Sequence, residues 1–213
     1  MTGAAAAFFG RSLPRRANAK HIKGVTTTVN HDRTIRQLTL FSALIAFGVL
    51  GRWLQPDWNF TPVAAIAGFA AYYFGSTAIA MLAATAVLAI SNILLPQYQN
   101  PAMMLAVFAA YSVPVLLGRW LDAKFSWPRL GALCLVPAVA FFLTTNFAHW
   151  ALVKQYAMTW DGWAACYTAG LPFFRGTLAG DVFYTVGLFG AYALATRWSA
   201  MRSTLAVGHA ASN

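Results

Sequence analysis

Apolar residues dominate six segments of the chain, and short polar or turn-forming stretches separate these segments. Most of them approach the roughly 20 residues that an α-helix needs to cross about 30 Å of hydrocarbon. The second has only 13 residues, so it either tilts in a thinned bilayer or does not cross completely. The segments are 38–54, 62–74, 76–95, 102–121, 130–153 and 178–196.

This pattern predicts an all-α membrane protein, a bundle of six transmembrane helices, because backbone groups in hydrocarbon must find their partners within each segment. The bundle occupies residues 37–198. It lies between a basic, mostly flexible tail at 1–36 and a C-terminal tail at 199–213.

The stretch that joins the fifth and sixth segments is too apolar for an ordinary loop. It predicts an interfacial helix at about 160–169 that Gly170 and Pro172 bring to an end. Such a helix is either an anchor in the membrane surface or a lid over a site.

Composition agrees with a membrane protein. Hydrophobic residues make up 59% of the chain and charged residues 9%, against about 25% charged in an ordinary soluble domain. So few charges exclude a cytosolic enzyme, a disordered chain and a coiled coil.

Basic residues set the expected orientation. The net charge is +10, and seven of the 15 Lys and Arg residues lie in the first 36 positions. This distribution is typical of a cationic tail at a lipid surface rather than of a nucleic-acid site. Six spans with both termini cytoplasmic put 12 basic residues inside and three outside. Joining the second and third segments into one helix gives nine inside and six outside, so six spans fit better.

Small residues recur four positions apart, which lets helices approach closely. They either pack inside the chain or form a docking face for a second membrane protein. The pairs are Ala64 with Gly68, Ala67 with Ala71, Ala80 with Ala84, and Ser42 with Ala46.

Polar residues within or beside the spans gather in the half that this topology places outside. Each one alone is also consistent with packing or an aromatic belt, but their common depth predicts a water-accessible ligand cavity. Asp181 needs either a cation, Arg52 or Arg175, or a first-turn position favoured by the helix dipole. The candidate ligand-binding residues are Arg52, Asn59, Asn92, Asn146, His149, Trp150, Tyr167, Arg175, Asp181 and Tyr184.

No cofactor or metal site is predicted, because the four histidines are far apart and neither cysteine lies near one. Cys134 and Cys166 lie in apolar stretches, where a free Cys behaves as a small buried hydrophobe. One disulfide is the alternative. No intramembrane nucleophile loop or second intramembrane Asp is present, so an enzyme is not expected.

Five short motifs resemble an uncharacterised group of bacterial membrane proteins, over roughly positions 40–197. This group is similar in turn to the S components of energy-coupling-factor (ECF) vitamin transporters. Where the group tends to have Ser-Asp at the end of the third helix, this chain has Ser91-Asn92. The motifs are Asn59-Phe60-Thr61-Pro62-Val63-Ala64-Ala65, Thr145-Asn146-Phe147-Ala148-His149-Trp150, Ala165-Cys166-Tyr167, Leu171-Pro172-Phe173-Phe174-Arg175 and Gly180-Asp181.

The resemblance implies an ECF S-component-like subunit in the bacterial inner membrane. Such a subunit captures a vitamin-like or nucleobase-like molecule at the outer face, for uptake with a transmembrane coupling subunit and separate ATPases. The chain has no phosphate-binding G-x-x-x-x-G-K-[ST] motif of its own. A non-transporting membrane scaffold is the main alternative, and an autonomous channel or carrier is another.

Overall fold

The structure is a computed structural model that describes residues 23–95 and 100–211, with side chains described for 31–95 and 100–202. All regular structure within these residues is α-helical. The helices are α1 Lys23–Trp53, α2 Val63–Phe74, α3 Thr77–Ser91, α4 Pro101–Ala110, α5 Ser112–Ala123, α6 Trp127–Val153 and α7 Trp160–Ala211. The helices α4 and α5 continue one another through Tyr111, so the described chain forms six rods.

Successive rods run in opposite directions, which gives the bundle two ends. At one end, Arg52 at the end of α1 donates to side chains at the end of α3. At the other, Gly75 after α2 lies beside Arg119 and Asp122 of α5. We call these the Arg52 end and the Gly75 end. The described chain begins and finishes on the side of the Gly75 end.

The centre of the bundle is α2, in which nine consecutive residues, 63–71, are buried. A helix that is apolar all round is typical of such a central position. It packs mainly against α5, α3 and α7. A Cβ atom added at Gly118 of α5 would overlap the carbonyl oxygen of Gly68, so the two backbones touch where these glycines meet.

The small-residue pairs of α2 and α3 are part of this core. All six of their members are buried within the chain, so they pack α2 and α3 against neighbouring helices. Ser42 and Ala46 differ, because both are exposed on α1.

Four helices have the length and apolarity of membrane spans, which indicates an integral membrane protein. They cover His31–Trp53, Pro101–Ala123, Trp127–Val153 and Trp160–Arg202. The helices α2 and α3 form where the second and third spans are predicted, but with 12 and 15 residues they are only about 18 and 22 Å long.

The predicted interfacial helix is wrong as a separate element, because α7 runs from Trp160 to Ala211 without a break. Gly170 lies against the side chain of Asn146, so this glycine serves close packing with α6 rather than helix termination. Pro172 is exposed, and the helix continues through it. Ending the helix there would leave further backbone groups without partners among apolar surroundings.

Both predicted tails contribute helix. Residues 1–22 lie outside the described residues, but α1 begins at Lys23, well before the predicted bundle. At the other terminus, α7 continues into the predicted tail as far as Ala211. Arg, Lys and Gln have high helix propensity, and a helix that has nucleated propagates easily.

Candidate functional site

A cavity of about 220 Å³ lies at the Arg52 end, between α4, α6, α7 and the loop that joins α1 to α2. Aromatic rings form much of its wall, and amide, hydroxyl, imidazole and thiol groups interrupt them. The lining residues are Asn59, Met103, Phe141, Phe142, Thr145, Asn146, His149, Tyr156, Cys166, Ala169, Gly170, Phe173, Phe174 and Thr177.

A smaller space of about 20 Å³ lies one helical turn further along α7. It shares Asn59, Phe141 and Thr177 with the large cavity, so the two spaces adjoin. Its other lining residues are Thr61, Ala64, Ala110, Tyr111, Pro114, Pro137 and Asp181. This volume suits one water-sized group, and the small space forms the floor of the cavity.

Asp181 supplies the carboxyl group at this floor. Its side chain is 3% exposed, and its Oδ2 atom has no hydrogen-bond partner among the described residues. The predicted ion pair with Arg52 or Arg175 is wrong. Arg52 donates instead to Ser91 Oγ at 2.5 Å and to Asn92 Oδ1 at 2.9 Å, and Arg175 is exposed on α7. The salt bridge found in the described part of the chain joins Arg119 to Asp122.

Asp181 belongs to a polar stripe on the buried face of α7. Thr177, Asp181 and Thr185 are four residues apart and all buried, as expected for one helix face. Thr177 donates to the Phe173 carbonyl at 3.0 Å. The hydroxyl of Thr185, which is fully buried, finds no partner among the described residues.

Two glycines of α7 bring the α1–α2 loop into the site. A Cβ atom at Gly176 would overlap the Trp58 carbonyl oxygen, and one at Gly180 would crowd the backbone of Phe60 and Thr61. The loop backbone therefore lies directly on the helix. Asn59 has a φ of 62°, a left-handed conformation that Asn adopts more readily than most residues.

The α6 wall carries the polar rim of the cavity. Asn146 Nδ2 donates to the Phe142 carbonyl at 2.8 Å, so its side chain lies along its own helix. His149 Nε2 is 3.1 Å from Gln155 Oε1, and the His149 ring contacts that of Tyr156. The imidazole therefore joins the end of α6 to the loop at the mouth of the cavity.

Of the ten predicted site residues, four line the two spaces: Asn59, Asn146, His149 and Asp181. The other six do not line them.

Arg52 and Asn92 join α1 to α3 in a clamp that also contains Ser91. Tyr184 packs on the rings of Phe47 and Phe60.

Two further predicted residues hold the walls of the cavity together. The indole of Trp150 donates to the Ala157 carbonyl at 2.9 Å, which fixes the α6–α7 loop. The hydroxyl of Tyr167 donates to the Leu143 carbonyl at 2.8 Å, across the α6–α7 contact. Arg175, the sixth of these residues, is exposed on α7.

The prediction missed much of the wall. Thr61, Tyr111, Phe141, Tyr156 and Thr177 line the cavity or its floor. One signal was available in the sequence, because Thr177 precedes Asp181 by four residues and so shares its helix face. The aromatic residues carry no such signal, since they also fit an ordinary apolar core.

Both cysteines are free and buried. Cys166 lines the cavity, and its thiol is 3.5 Å from the Asn146 carbonyl. In the described part of the chain, no three His, Cys or Asp side chains gather as a metal site would require.

No curated protein and no solved structure is detectably similar to the chain. Residues 32–204 match a family described as a family of unknown function, DUF6580. This match covers the helical bundle around the cavity, from the start of the first span to residue 204 of α7. The chain belongs to the DUF6580 family.

Proposed function

We propose that the protein is a membrane-embedded binding subunit that takes up a compact small molecule, vitamin-like or nucleobase-like, from the Arg52 end. The observation that carries this proposal is the cavity of about 220 Å³ with Asp181 at its floor. Ligand pockets combine apolar and aromatic walls with a few placed polar groups. The cavity is smaller than the roughly 300–1,000 Å³ usual for drug-sized ligands, which favours a compact ligand.

The distribution of charge supports an orientation with the cavity facing outwards. Arg119, Lys124, Arg129 and Arg197 belong to the Gly75 end, whereas Arg52, Lys154 and Arg175 belong to the Arg52 end. Cytoplasmic segments collect Lys and Arg. We therefore place the Gly75 end, with both termini, in the cytoplasm of a bacterial inner membrane, with all six rods spanning.

Close packing near α2 supports a binding subunit over an autonomous channel or carrier. Ala67, Ala71, Ala80 and Ala84 are at most 1% exposed, so the contact between α2 and α3 is closed at these positions. Release inside would need a second conformation of lower affinity, favoured by a partner. A transmembrane coupling subunit with ATPases, as in ECF transporters, fits this need, and that assignment rests on the motif resemblance.

A thermal-shift screen of the purified protein in detergent, against vitamins, nucleobases and related metabolites, tests binding. A hundredfold excess over the dissociation constant adds about 2.7 kcal/mol of apparent stability. The variant Ala169→Trp fills the cavity from its wall and should abolish the shift. Ala165→Trp is the matched control, because Ala165 is exposed one turn earlier on α7 and does not line the cavity.

The outcomes separate the two candidate functions. A stabilising compound that acts on the parent chain and on Ala165→Trp, but not on Ala169→Trp, supports binding in the cavity. A broad panel without a stabilising compound, tested on folded protein, contradicts the binding function. It would favour the membrane scaffold, for which the exposed pair Ser42 and Ala46 on α1 is the small-residue face that remains.

A further inference from the structure

We propose that the floor of the cavity is a subsite for one small monovalent cation, anchored by the Asp181 carboxylate. The subsite deepens the proposed binding function, because it assigns a chemistry to the innermost part of the same cavity. Its test does not require the ligand to be known.

The first argument is electrostatic. Asp181 is 3% exposed, Oδ2 has no hydrogen-bond partner, and no Arg or Lys pairs with it among the described residues. The described residues that line either space include no other Asp and no Lys or Arg. An unpaired carboxylate among apolar helices is costly, and a bound cation would offset that cost.

The second argument is the set of neighbouring atoms. The space of about 20 Å³ beside Asp181 is also lined by Asn59, Thr61, Tyr111 and Thr177, all of which carry side-chain oxygen. Hard cations prefer oxygen ligands. The volume accepts one group the size of a water molecule, which suits a dehydrated sodium ion or the tip of an ammonium group and excludes a bulkier cation.

Such a cation has two sources. It is either a free inorganic ion, or the ammonium group of an organic molecule whose body fills the larger cavity between Phe141, Phe142, Phe173 and Phe174. The faces of aromatic rings attract cations as well. Both sources place one positive charge at the same carboxylate, and they differ in what occupies the space above it.

The experiment is thermal unfolding of the full chain in detergent at constant ionic strength. Tetraethylammonium chloride, too large for the floor, is replaced stepwise by sodium, potassium, methylammonium or benzylammonium chloride. A tenfold excess over the dissociation constant should raise the Tm by about 3–6 °C. A rise in the Tm with sodium or potassium shows that the subsite binds a free inorganic ion. A rise with the organic ammonium salts alone shows that the positive charge belongs to an organic ligand.

The variant Asp181→Asn keeps the shape of the side chain and removes its charge, so it should abolish the rise. Asp161→Asn is the control, since it removes an exposed carboxylate from the same helix and should keep the rise. A Tm that is indifferent to all four salts, or a rise that Asp181→Asn retains, overturns the cation subsite. If the Tm is indifferent to all four salts but a neutral compound still binds in the cavity, the proposed function stands and this inference alone is rejected.

Discussion

The α2–α3 pair and the α6–α7 pair are both built from apolar sequence, but they pack in different ways. In α2, residues 63–71 are buried in succession, and most of them are Ala or Gly. In α6, only six of 27 residues are buried. Phe142 of this helix meets Tyr167 and Phe174 of α7 ring to ring. Small side chains bring α2 and its neighbours into backbone contact, whereas large rings fill much of the contact between α6 and α7 and line the cavity beside it.

This difference shows how one bundle can combine a rigid core with a binding space. Interiors lined by small residues pack without voids, and their stability comes from contact over the whole helix surface. Aromatic walls are stiff and cannot fill every gap, so space remains where three helices and a loop meet. The buried polar atoms without a hydrogen-bond partner among the described residues belong to Asp181 and Thr185, on the α7 side of this comparison. We therefore expect an added methyl group to destabilise the close-packed region strongly, and removal of an unpaired hydroxyl to stabilise the α7 side.

The largest effect should come from Gly118→Ala in the close-packed region. The added methyl group overlaps the backbone of Gly68, and a backbone cannot move aside as a side chain does. We expect a loss of about 3 kcal/mol in the free energy of unfolding, measured by thermal or denaturant unfolding in detergent.

The same substitution at Gly190 of α7 is the control. A Cβ atom there meets nothing within 4 Å, so Gly190→Ala should be neutral or add about 0.5 kcal/mol through helix propensity. Equal effects at the two glycines would contradict the backbone contact between α2 and α5.

Apolar runs and their lengths predicted the six rods, because each rod overlaps one predicted run. The sequence could not predict the continuity of α7. Gly170 and Pro172 are signals that end helices in water, but in the structure the glycine accommodates Asn146 and the proline points outwards. Which of these roles such residues take depends on the neighbouring helix, and no local pattern carries that information.

The site was predictable where polar residues are costly and unpredictable where they are not. Asp181, Asn146 and Asn59 were predicted as site residues because an amide or a carboxylate in or beside a span costs free energy, which indicates a functional role. Arg52 was wrongly predicted as a partner of Asp181, because the two residues lie at a similar depth in the membrane. Its actual hydrogen bond to Ser91 depends on how α1 packs against α3. The depth of a residue in the membrane follows from its position along the span. The direction in which its side chain points around the helix axis depends on how the helices pack.

The second effect in size should come from the clamp that joins α1 to α3 at the Arg52 end. Arg52→Ala removes the hydrogen bonds to Ser91 and Asn92. Hydrogen bonds to charged groups contribute about 1.5–3 kcal/mol in general, and Arg52 is partly exposed, so we expect a loss of about 2 kcal/mol in unfolding experiments. Arg175→Ala, an exposed arginine on α7, should change stability by less than about 0.5 kcal/mol. Similar losses for both variants would reject the clamp.

Removing a buried hydroxyl from the polar stripe should increase stability. Thr185→Val keeps the shape of the side chain and deletes an Oγ1 atom that has no partner among the described residues, so the free energy of unfolding should rise by about 1 kcal/mol. Thr196→Val on the same helix is the comparison, because the Thr196 hydroxyl donates to the Tyr192 carbonyl at 3.0 Å. Thr196→Val should not increase the free energy of unfolding. A loss of stability in Thr185→Val would mean that its hydroxyl is paired in the membrane.

The smallest effect on stability, but one localised at the cavity mouth, should come from Trp150→Phe. The indole Nε1 donates to the Ala157 carbonyl and holds the loop between α6 and α7, while the ring contacts Phe147. Phenylalanine keeps a ring but not the donor, so global stability should fall by less than about 1 kcal/mol. Amide hydrogen exchange at 154–159 should become faster, while exchange in α2 stays unchanged. Trp160→Phe, at an indole that is 83% exposed, should leave exchange in the loop as it is.

Faster exchange throughout α6 and α7 in Trp150→Phe would contradict a local effect. It would show instead that the cavity mouth and the aromatic walls open as one unit, so that access to the cavity would depend on the whole helix pair.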